Sequence, residues 1–386
     1  MTARPSLIVL GMMGRMPMAG VVWQVLQYLE GFRRLGFSVS YVEDTGEWSY
    51  DPDRNTITDD PTYAVESIRS VMARHGFADR WAYRVADGRV FGRSASALEE
   101  LFERADVLVN LTGATVLRAE HLRVPVRIYL ETDPVLPQIE VAREIPFYVE
   151  LLSAHTHHFT YGENLGQPDC PIPLEKFAWR PTRPPVLLDL WETPFDPRSE
   201  RFTTVATWKN VGKDITFRGE TYYWSKHVNI LRVADLPQRT YQPLEMALQA
   251  EDPEALEMLT RNGWILTDAF EVSRTLTAYQ RHIQQSRGEF TASKDLVVRT
   301  RSGWFSDRSV CYLAAGKPVV TQDTGFGNHL PTGVGLLPFG TVEEAAAALD
   351  EVNRDYRRHC RAARQIAEEH FAADRVLDQL CRDADL

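Results

Sequence analysis

Cysteine is scarce in this chain of 386 residues, and long apolar runs and dense basic runs are absent. The four cysteines form no C-x-x-C pair, so their spacing predicts neither a zinc site nor a disulfide framework. No stretch of about 18 uncharged apolar residues occurs, and the amino-terminal apolar run is too short for a signal peptide. We therefore expect a cytoplasmic protein without a membrane span.

The charge balance of the chain is acidic. Lys and Arg together number 43 and Asp and Glu 53, which gives a formal net charge of −10 at pH 7. Nucleic-acid binding through phosphate contacts needs clustered cations, so this balance predicts that nucleic acid is not a partner. A small anionic ligand needs only a local site. The chain also lacks G-x-G-x-x-G, G-K-[ST] and G-x-S-x-G segments, which leaves no support for a dinucleotide site, a P-loop or a serine hydrolase.

Strand-like and helix-like segments alternate along the chain, starting with an apolar strand at Ser6–Gly11 and a helix at Val21–Leu35. Eight prolines crowd the segment 168–197, which predicts a stiff connector, and the alternation then restarts. We expect the charged segment 353–380 to be helical. This order predicts an α/β protein with two doubly wound, Rossmann-like domains that face each other across a cleft. The predicted units are residues 1–175 and 201–365 for the two domains, 176–200 for a proline-rich linker and 366–386 for a terminal helix.

The stretch Ser302–Phe326, SGWFSDRSVCYLAAGKPVVTQDTGF, is the most informative for function. Ser306 suits a helix N-cap, and the pattern predicts a helix over Asp307–Ala315 that ends at Gly316. A helix amino terminus favours an anion, typically by about 0.3–1 kcal/mol for each nearby charge. Three arginines close by in sequence could clamp phosphate oxygens in a bidentate way: Arg299, Arg301 and Arg308. An ordinary capped helix with surface arginines fits the same pattern.

Several phrases of the sequence resemble GT-B-fold glycosyltransferases. The helix–AAGKPVV–loop order, TGFGNHLPTGVGLLPF and VEEAAAAL are similar to the donor-binding half of those enzymes. SGWFSDRS, YLAAGKPVV, QDTGF and LPTGVGLL resemble a bacterial glycosyltransferase-like family, as do LQYLEGFRRLGFSVSYVED, TDPV and YGENLG nearer the amino terminus. The resemblance covers nearly the whole chain and implies a GT-B-like fold.

The resemblance also implies transfer of a sugar from a nucleotide diphosphate sugar of the UDP, GDP or dTDP type. This donor is a co-substrate, and no covalently bound cofactor is implied. The amino-terminal domain would hold the acceptor, a small molecule, glycan or other compound, and residues 366–386 would cross back onto that domain. The residues expected to bind the donor are Lys226, Arg299, Ser302, Gly303, Ser306, Asp307, Arg308, Ser309, Asp323, Thr324 and Gly325.

The sequence departs from the better-known retaining pattern of that fold. Many retaining members carry two glutamates, and the corresponding positions here are Gly303 and Cys311. The ribose contact of the second carboxylate is therefore missing or replaced, with Asp307 and Asp323 as candidates. We expect an inverting, metal-independent transfer. Two other hypotheses stay open: a sugar-nucleotide epimerase of the same architecture, and a non-catalytic nucleotide- or sugar-binding relative.

An inverting transfer needs a base on the acceptor side of the cleft and positive groups for the departing diphosphate. Asp133 is the first candidate for the base, because a TDP turn fixes its backbone direction after a predicted strand. Asp44 and Glu43 follow another strand and are the next candidates, and Glu131 shares the strand-end placement. Solvated loop acids fit these positions as well. The residues expected to contact the acceptor are Gly11, Met13, Gly14 and Glu163, and no metal-ligand set is predicted.

Overall fold

The computed structural model describes residues 5–210 and 212–386, in which strands and helices alternate. The strands, numbered along the chain, are β1 (Ser6–Leu10), β2 (Ser38–Glu43), β3 (Ser49–Asp51), β4 (Thr56–Thr58), β5 (Trp81–Arg84), β6 (Val90–Gly92), β7 (Val107–Leu111), β8 (Val126–Glu131), β9 (His157–Thr160), β10 (Trp179–Pro181), β11 (Phe202–Thr207), β12 (Ile215–Phe217), β13 (Glu220–Tyr222), β14 (Leu244–Gln249), β15 (Ile265–Asp268), β16 (Gly288–Thr291), β17 (Val319–Gln322) and β18 (Leu336–Phe339). The helices are α1 (Ala19–Arg34), α2 (Thr62–Arg74), α3 (Ala95–Arg104), α4 (Leu136–Ala142), α5 (Pro146–Ser153), α6 (His227–Arg232), α7 (Pro253–Arg261), α8 (Ala269–Ser273), α9 (Leu276–Gln285), α10 (Asp295–Arg299), α11 (Asp307–Ala314), α12 (Val342–Arg354), α13 (Tyr356–His370) and α14 (Ala373–Asp383).

The first sheet has eight strands in the order β10-β9-β8-β7-β1-β2-β5-β6. Its neighbours are parallel except β6, which pairs antiparallel with β5 in a hairpin. Both faces of β1 are buried, since Leu7 and Val9 belong to one apolar core and Ile8 and Leu10 to another. The winding direction changes between β1 and β7, so a crevice opens at the carboxyl ends of these strands.

The second sheet has six parallel strands in the order β15-β14-β11-β16-β17-β18. Its winding direction changes between β11 and β16, so its crevice lies beyond Thr207 and Thr291. Two doubly wound α/β sheets were predicted from the sequence, and the structure confirms that fold class. Two short hairpins, β3–β4 and β12–β13, lie outside these sheets.

Helix α1 lies where the two halves of the molecule meet. The Trp23 ring stacks at a tilt against Trp191, with ring centroids 4.9 Å apart, and its Nε1 donates to the Leu276 carbonyl at 3.2 Å. Gly31 of the same helix leaves the space that the Leu377 side chain of α14 occupies. The two halves therefore share one apolar core, and α14 packs against the first half.

Residues 353–380, predicted to be helical, lie mostly in the last turn of α12, in α13 and in α14. The chain leaves the helical path after α13 because the backbone of residues 371–373 pairs with Val186: the Val186 N–H donates to the Phe371 carbonyl at 2.8 Å, and the Ala373 N–H donates back at 2.9 Å. The first sheet also takes its edge strand β10 from within the segment 176–200, so the domain boundaries stay a prediction. No helix of the described residues is long and apolar enough to span a membrane.

Candidate active site

The carboxyl ends of the two sheets face each other and are joined by an ion pair. Asp133 follows β8 of the first sheet, and Lys294 follows β16 of the second; the Lys294 Nζ lies 2.6 Å from the Asp133 Oδ1. Lys294 is mostly buried, whereas the Asp133 side chain is 40% exposed. The predicted candidate base therefore lies at the cleft between the sheets, and its Oδ2 forms no hydrogen bond within the described ranges.

Three lysines of the second half gather around this carboxylate, and we call Lys213, Lys226 and Lys294 the cleft lysines. The ammonium groups of Lys294 and Lys213 lie 3.8 and 4.9 Å from the centroid of the Trp224 ring. Burial, and then the charge of Arg308, lower the pKa of Lys226 well below its usual range. Among the described residues, no hydrogen bond or ion pair holds the Lys226 ammonium. A partly buried cation without a partner is a costly arrangement that an anionic ligand would relieve.

The Arg308 side chain lies inside the second half of the molecule, where hydrogen bonds and an ion pair hold it. Its Nε donates to Glu289 at 2.6 Å, and its two terminal nitrogens donate to the Val205 carbonyl at 2.8 Å and the Thr291 hydroxyl at 2.9 Å. The Glu289 side chain is fully buried. Three of the five guanidinium N–H donors are thus used inside the protein, which leaves two for a ligand.

The first turn of α11 lies beside Arg308. The Ser306 hydroxyl forms no capping hydrogen bond, and the buried Ser309 hydroxyl has no partner among the described residues. Burial raises the pKa of Asp307, which accepts a hydrogen bond from Gln24 of α1 at 3.2 Å across the cleft. Five predicted donor residues, Lys226 and 306–309, are therefore brought together at the cleft.

Other predicted donor residues form a contact between the two halves of the molecule. The Asn164 N–H donates to the Ser302 carbonyl at 3.0 Å, and its side-chain amide donates to the Arg301 carbonyl at 2.8 Å. Gly303 and Gly325 have φ of +79° and +90°, and a Cβ on them would lie 2.5 Å from the Asn164 nitrogen and 3.2 Å from its amide. Only glycine permits this approach with that backbone conformation.

The loop after β17 is closed on itself. Asp323 accepts from the Gly325 N–H at 2.8 Å and from Arg301 at 2.9 Å, and the Thr324 hydroxyl donates to the Trp304 carbonyl at 2.6 Å. The Trp304 indole in turn donates to the Thr132 carbonyl of the first half at 2.8 Å. Predicted donor residues 302, 303 and 323–325 thus fix the position of one half against the other.

Arg299 is held by the β12–β13 hairpin. It donates to the Thr221 carbonyl at 2.7 Å, forms an ion pair with Glu220 and lies 4.3 Å over the Tyr222 ring. This hairpin lies in the chain between Lys213 and Lys226, so Arg299 helps to position the segment that carries these two cleft lysines.

In the first half, Glu43 binds the glycine-containing loop after β1. Its carboxylate accepts from the Gly14 N–H at 2.7 Å, the Arg15 N–H at 2.5 Å and the Tyr41 hydroxyl at 2.6 Å. Burial raises the pKa of Glu43 to about 7, although these hydrogen bonds oppose the shift. Met13 is 1% exposed and belongs to the core. The predicted acceptor residues Gly11, Met13 and Gly14 therefore lie in a loop that packs on the core and is hydrogen-bonded to the Glu43 carboxylate.

Asp44 and Glu163 are both neutralised by arginines. Asp44 forms ion pairs with Arg118 and with Arg84, the latter at 3.2 Å, and lies close enough to Glu120 and His121 for a metal ion to bridge the three. Glu163 accepts two hydrogen bonds of 2.8 Å from Arg183 in a bidentate pair. These contacts leave Asp133 as the candidate base that faces the cleft with an open oxygen.

Three features of the site were not predicted from the sequence: the positions of Lys294 and Asn164, and the burial of the Glu131 carboxyl group. Lys294 lies shortly after the end of β16, so attention to strand ends would have found it, whereas no local signal marks the partner of Asn164. Glu131 is buried, and burial raises its pKa to about 8, against the hydrogen bonds that one oxygen accepts from Thr160 and Gln138. Its other oxygen has no partner among the described residues.

No family model matches the chain, and no curated protein matches its sequence. Solved structures do match its fold over the whole length. HepE from Anabaena, in complex with UDP and glucose, superposes with a TM-score of 0.62 at 11% identity and covers 99% of this chain and 100% of its own. An alpha-glucosyltransferase in complex with UDP and a 13-mer DNA gives 0.59 at 10% identity, with 100% of both chains covered. AviGT4, a glycosyltransferase involved in avilamycin A biosynthesis, gives 0.51 at 13% identity, with 99% and 97% covered.

The DNA complexes correct one prediction. The acidic charge balance predicts that nucleic acid is not a partner, yet an alpha-glucosyltransferase with this fold is bound to DNA in several structures. Excluding nucleic acid on overall charge was therefore wrong, because the fold itself can present a local surface for it. The architecture expected from the sequence phrases is confirmed, and the chain has the GT-B fold of the glycosyltransferases.

Proposed function

We propose that the protein is a glycosyltransferase that moves a sugar from a nucleotide diphosphate sugar to an acceptor bound in the cleft. The observation that carries the proposal is the partly buried Lys226 ammonium, which has no partner among the described residues and faces Asp133 across the cleft. Structures with this fold are bound to UDP or UDP-glucose, which supports a nucleotide sugar as the ligand that supplies the missing negative charge.

The cleft lysines would bind the diphosphate, with Ser306, Ser309 and the free N–H groups of Arg308 completing the site. Positive side chains placed where charge develops stabilise a leaving group without a metal ion. We therefore propose a metal-independent transfer. The nucleotides to test first are UDP, GDP and dTDP, with UDP favoured by the bound nucleotide of the structural neighbours.

Asp133 would act as the base. Its open Oδ2 takes the proton of the acceptor hydroxyl, the acceptor oxygen forms a bond to the anomeric carbon, and the bond from that carbon to the diphosphate oxygen breaks with inversion. The diphosphate leaves with the electron pair of that bond and is held by the cleft lysines. Because Lys294 already pairs with Asp133, an arriving diphosphate would compete for Lys294 and release the carboxylate.

The acceptor class stays open between a small molecule, a glycan and a nucleic acid. An alpha-glucosyltransferase of this fold is bound to DNA containing a HMU base, so a hydroxymethylated DNA belongs in the acceptor panel. Gly11, Gly14 and Glu43 would shape the acceptor side by holding the loop after β1, with Glu43 as a positioning residue.

The test combines calorimetric titration of UDP, GDP and dTDP with product analysis of the corresponding sugar donors. Lys226→Met should weaken binding of the preferred nucleotide at least about tenfold, or roughly 1.4 kcal/mol, whereas the exposed Lys176→Met should leave binding unchanged. Asp133→Asn should lower turnover without weakening nucleotide binding, because Lys294 then has no carboxylate to release, with Asp87→Asn as the matched control. Equal affinity in Lys226→Met and wild type would remove the donor site from the cleft.

Incubation with donor alone tests for epimerisation, which a changed sugar on the released or bound nucleotide would indicate. Tight nucleotide binding without any product, even when the acceptor panel is supplied, would indicate a non-catalytic relative. Transfer to an acceptor only when both substrates are present is the expected result. A product with retained configuration would contradict the inverting role of Asp133.

A further inference from the structure

A second groove lies away from the cleft, between the linker and α13. It encloses about 780 Å³ and is walled by residues 192–195 of the linker, residues 314–317 after α11, and one face of α13. Small-molecule sites commonly have volumes of roughly 300–1,000 Å³, so this groove has the capacity for a metabolite. None of the residues that line it contributes to the cleft described above.

The groove is cationic in an acidic protein. Four cations line it, Lys317, Arg357, Arg361 and Arg364, against two carboxylates, Glu192 and Glu368. Arg364 forms ion pairs with both carboxylates, at 3.6 Å to Glu192 and 2.7 Å to Glu368. The other three cations form no ion pair with any described residue, so the groove carries uncompensated positive charge.

Lys317 is the most informative of these cations. It is 3% exposed, and burial lowers its pKa, yet its ammonium has no hydrogen-bond or ion-pair partner in the described part of the chain. Burying an unpaired charge destabilises a fold, and such groups concentrate where a ligand completes the site. The neighbouring Arg357 and Arg361 are four residues apart on α13 and reach the same groove.

We propose that this groove binds a phosphorylated small molecule. A phosphate would lie against Lys317 and Arg361, since ammonium and guanidinium groups are the usual protein partners of phosphate oxygens. The aromatic rings of Phe195 and Tyr356, with centroids 5.5 Å apart, offer an apolar wall for the rest of the ligand. A flat anionic membrane carries the same phosphate chemistry, but it would not reach a lysine that is 3% exposed in the lining of a groove.

A ligand in the groove would contact the segments that connect the two halves of the molecule. One wall is the linker between the two sheets, and the other is the helix that leads into α14, which packs on the first half. A ligand that joins these two walls would hold the connection between the halves in one arrangement. Binding in the groove does not depend on the proposed transfer activity, so the two proposals can be tested separately.

The test is a calorimetric titration with inorganic pyrophosphate, run in the Lys226→Met background to weaken binding at the cleft. Arg361→Gln and Lys317→Met should each weaken pyrophosphate binding about tenfold or more. Arg358→Gln removes the same charge from the same helix outside the groove and should bind like the background protein. Because Arg361 is exposed, its substitution keeps the test decisive if Lys317→Met folds poorly.

Hydrogen exchange localises the binding. Pyrophosphate should protect backbone amides of residues 192–195 and 314–317. Equal affinity in Arg361→Gln and Arg358→Gln, or protection confined to the cleft loops, would overturn the proposal. Phosphatidylglycerol vesicles provide the other arm: cosedimentation that depends on Arg361, without any binding of pyrophosphate to the groove, would replace the small molecule with a membrane surface.

Discussion

Replacing Glu43 by glutamine should remove a pH dependence from the stability of the protein. Glu43 is fully buried and accepts hydrogen bonds from the Gly14 and Arg15 N–H groups and from the Tyr41 hydroxyl. Burial raises its pKa from 4.5 to about 7 despite these bonds. The carboxyl group is therefore protonated in the folded protein at pH values where it is ionised in the unfolded chain.

The sign and size of the effect follow from this shift. Between pH 4.5 and 7 the folded state binds the extra proton, so the free energy of unfolding falls as the pH rises through this window. A shift of about 2.5 pKa units at roughly 1.4 kcal/mol per unit amounts to about 3 kcal/mol. Glutamine cannot ionise, so the variant loses this slope, while one mismatched hydrogen bond adds a constant penalty of about 1–3 kcal/mol.

The assay is guanidinium unfolding of wild type and Glu43→Gln at several pH values from 4.5 to 8. The stability of wild type relative to Glu43→Gln should fall by about 3 kcal/mol as the pH rises, so the variant's deficit of about 1–3 kcal/mol at low pH should vanish or change sign at high pH. Glu131 also has a raised pKa, but it is present in both proteins and cancels. Glu66→Gln, an exposed acid on α2, should leave the slope intact. Parallel stability profiles for wild type and Glu43→Gln would refute the raised pKa of Glu43 and make Glu43 a candidate base again.

Three further predictions concern the second half and its contact with the first. Arg308→Met leaves the fully buried Glu289 unpaired, so it should lower the free energy of unfolding by about 3 kcal/mol, and adding Glu289→Gln should recover part of this loss. Asn164→Ala removes the amide that donates to the Arg301 carbonyl, and unfolding by denaturant should show a loss of about 1–3 kcal/mol. UDP binding should raise the lowered pKa of Lys226 and be accompanied by proton uptake, which titrations in buffers of different ionisation enthalpy would detect; equal heats in all buffers would contradict the assignment.

Local patterning was sufficient for much of the fold. Helix α11 begins at the predicted Asp307 and ends one residue before the predicted Ala315, because its N-cap residue, its apolar spacing and the glycine after it are encoded within the segment itself. The break between α13 and α14 was not predictable in this way. It depends on backbone pairing with Val186, which is remote in sequence, and no proline or glycine marks it.

The candidate site was predictable only in part, for the same reason. The strand-end rule placed Asp133 at the cleft, since the carboxyl ends of parallel strands share one edge of a sheet. It could not show that Gly303 and Gly325 receive Asn164 of the other half, because that contact depends on how the two halves are arranged. Residues with similar local signals therefore separate into cleft residues and interface residues only in the folded molecule.

The net charge of the chain did not predict whether nucleic acid can bind, and the physical reason applies to other anionic ligands as well. A net charge of −10 is a sum over 386 residues, whereas an anion responds to charges within about one Debye length, roughly 8–10 Å at ordinary salt. Within such distances many carboxylates of this chain are paired with arginines, as Glu163 is with Arg183. Two sites are locally positive, since Lys226 at the cleft and Lys317 in the groove both lack partners among the described residues. Overall acidity therefore predicts solubility, while ligand preference follows from the few cations that the fold leaves uncompensated.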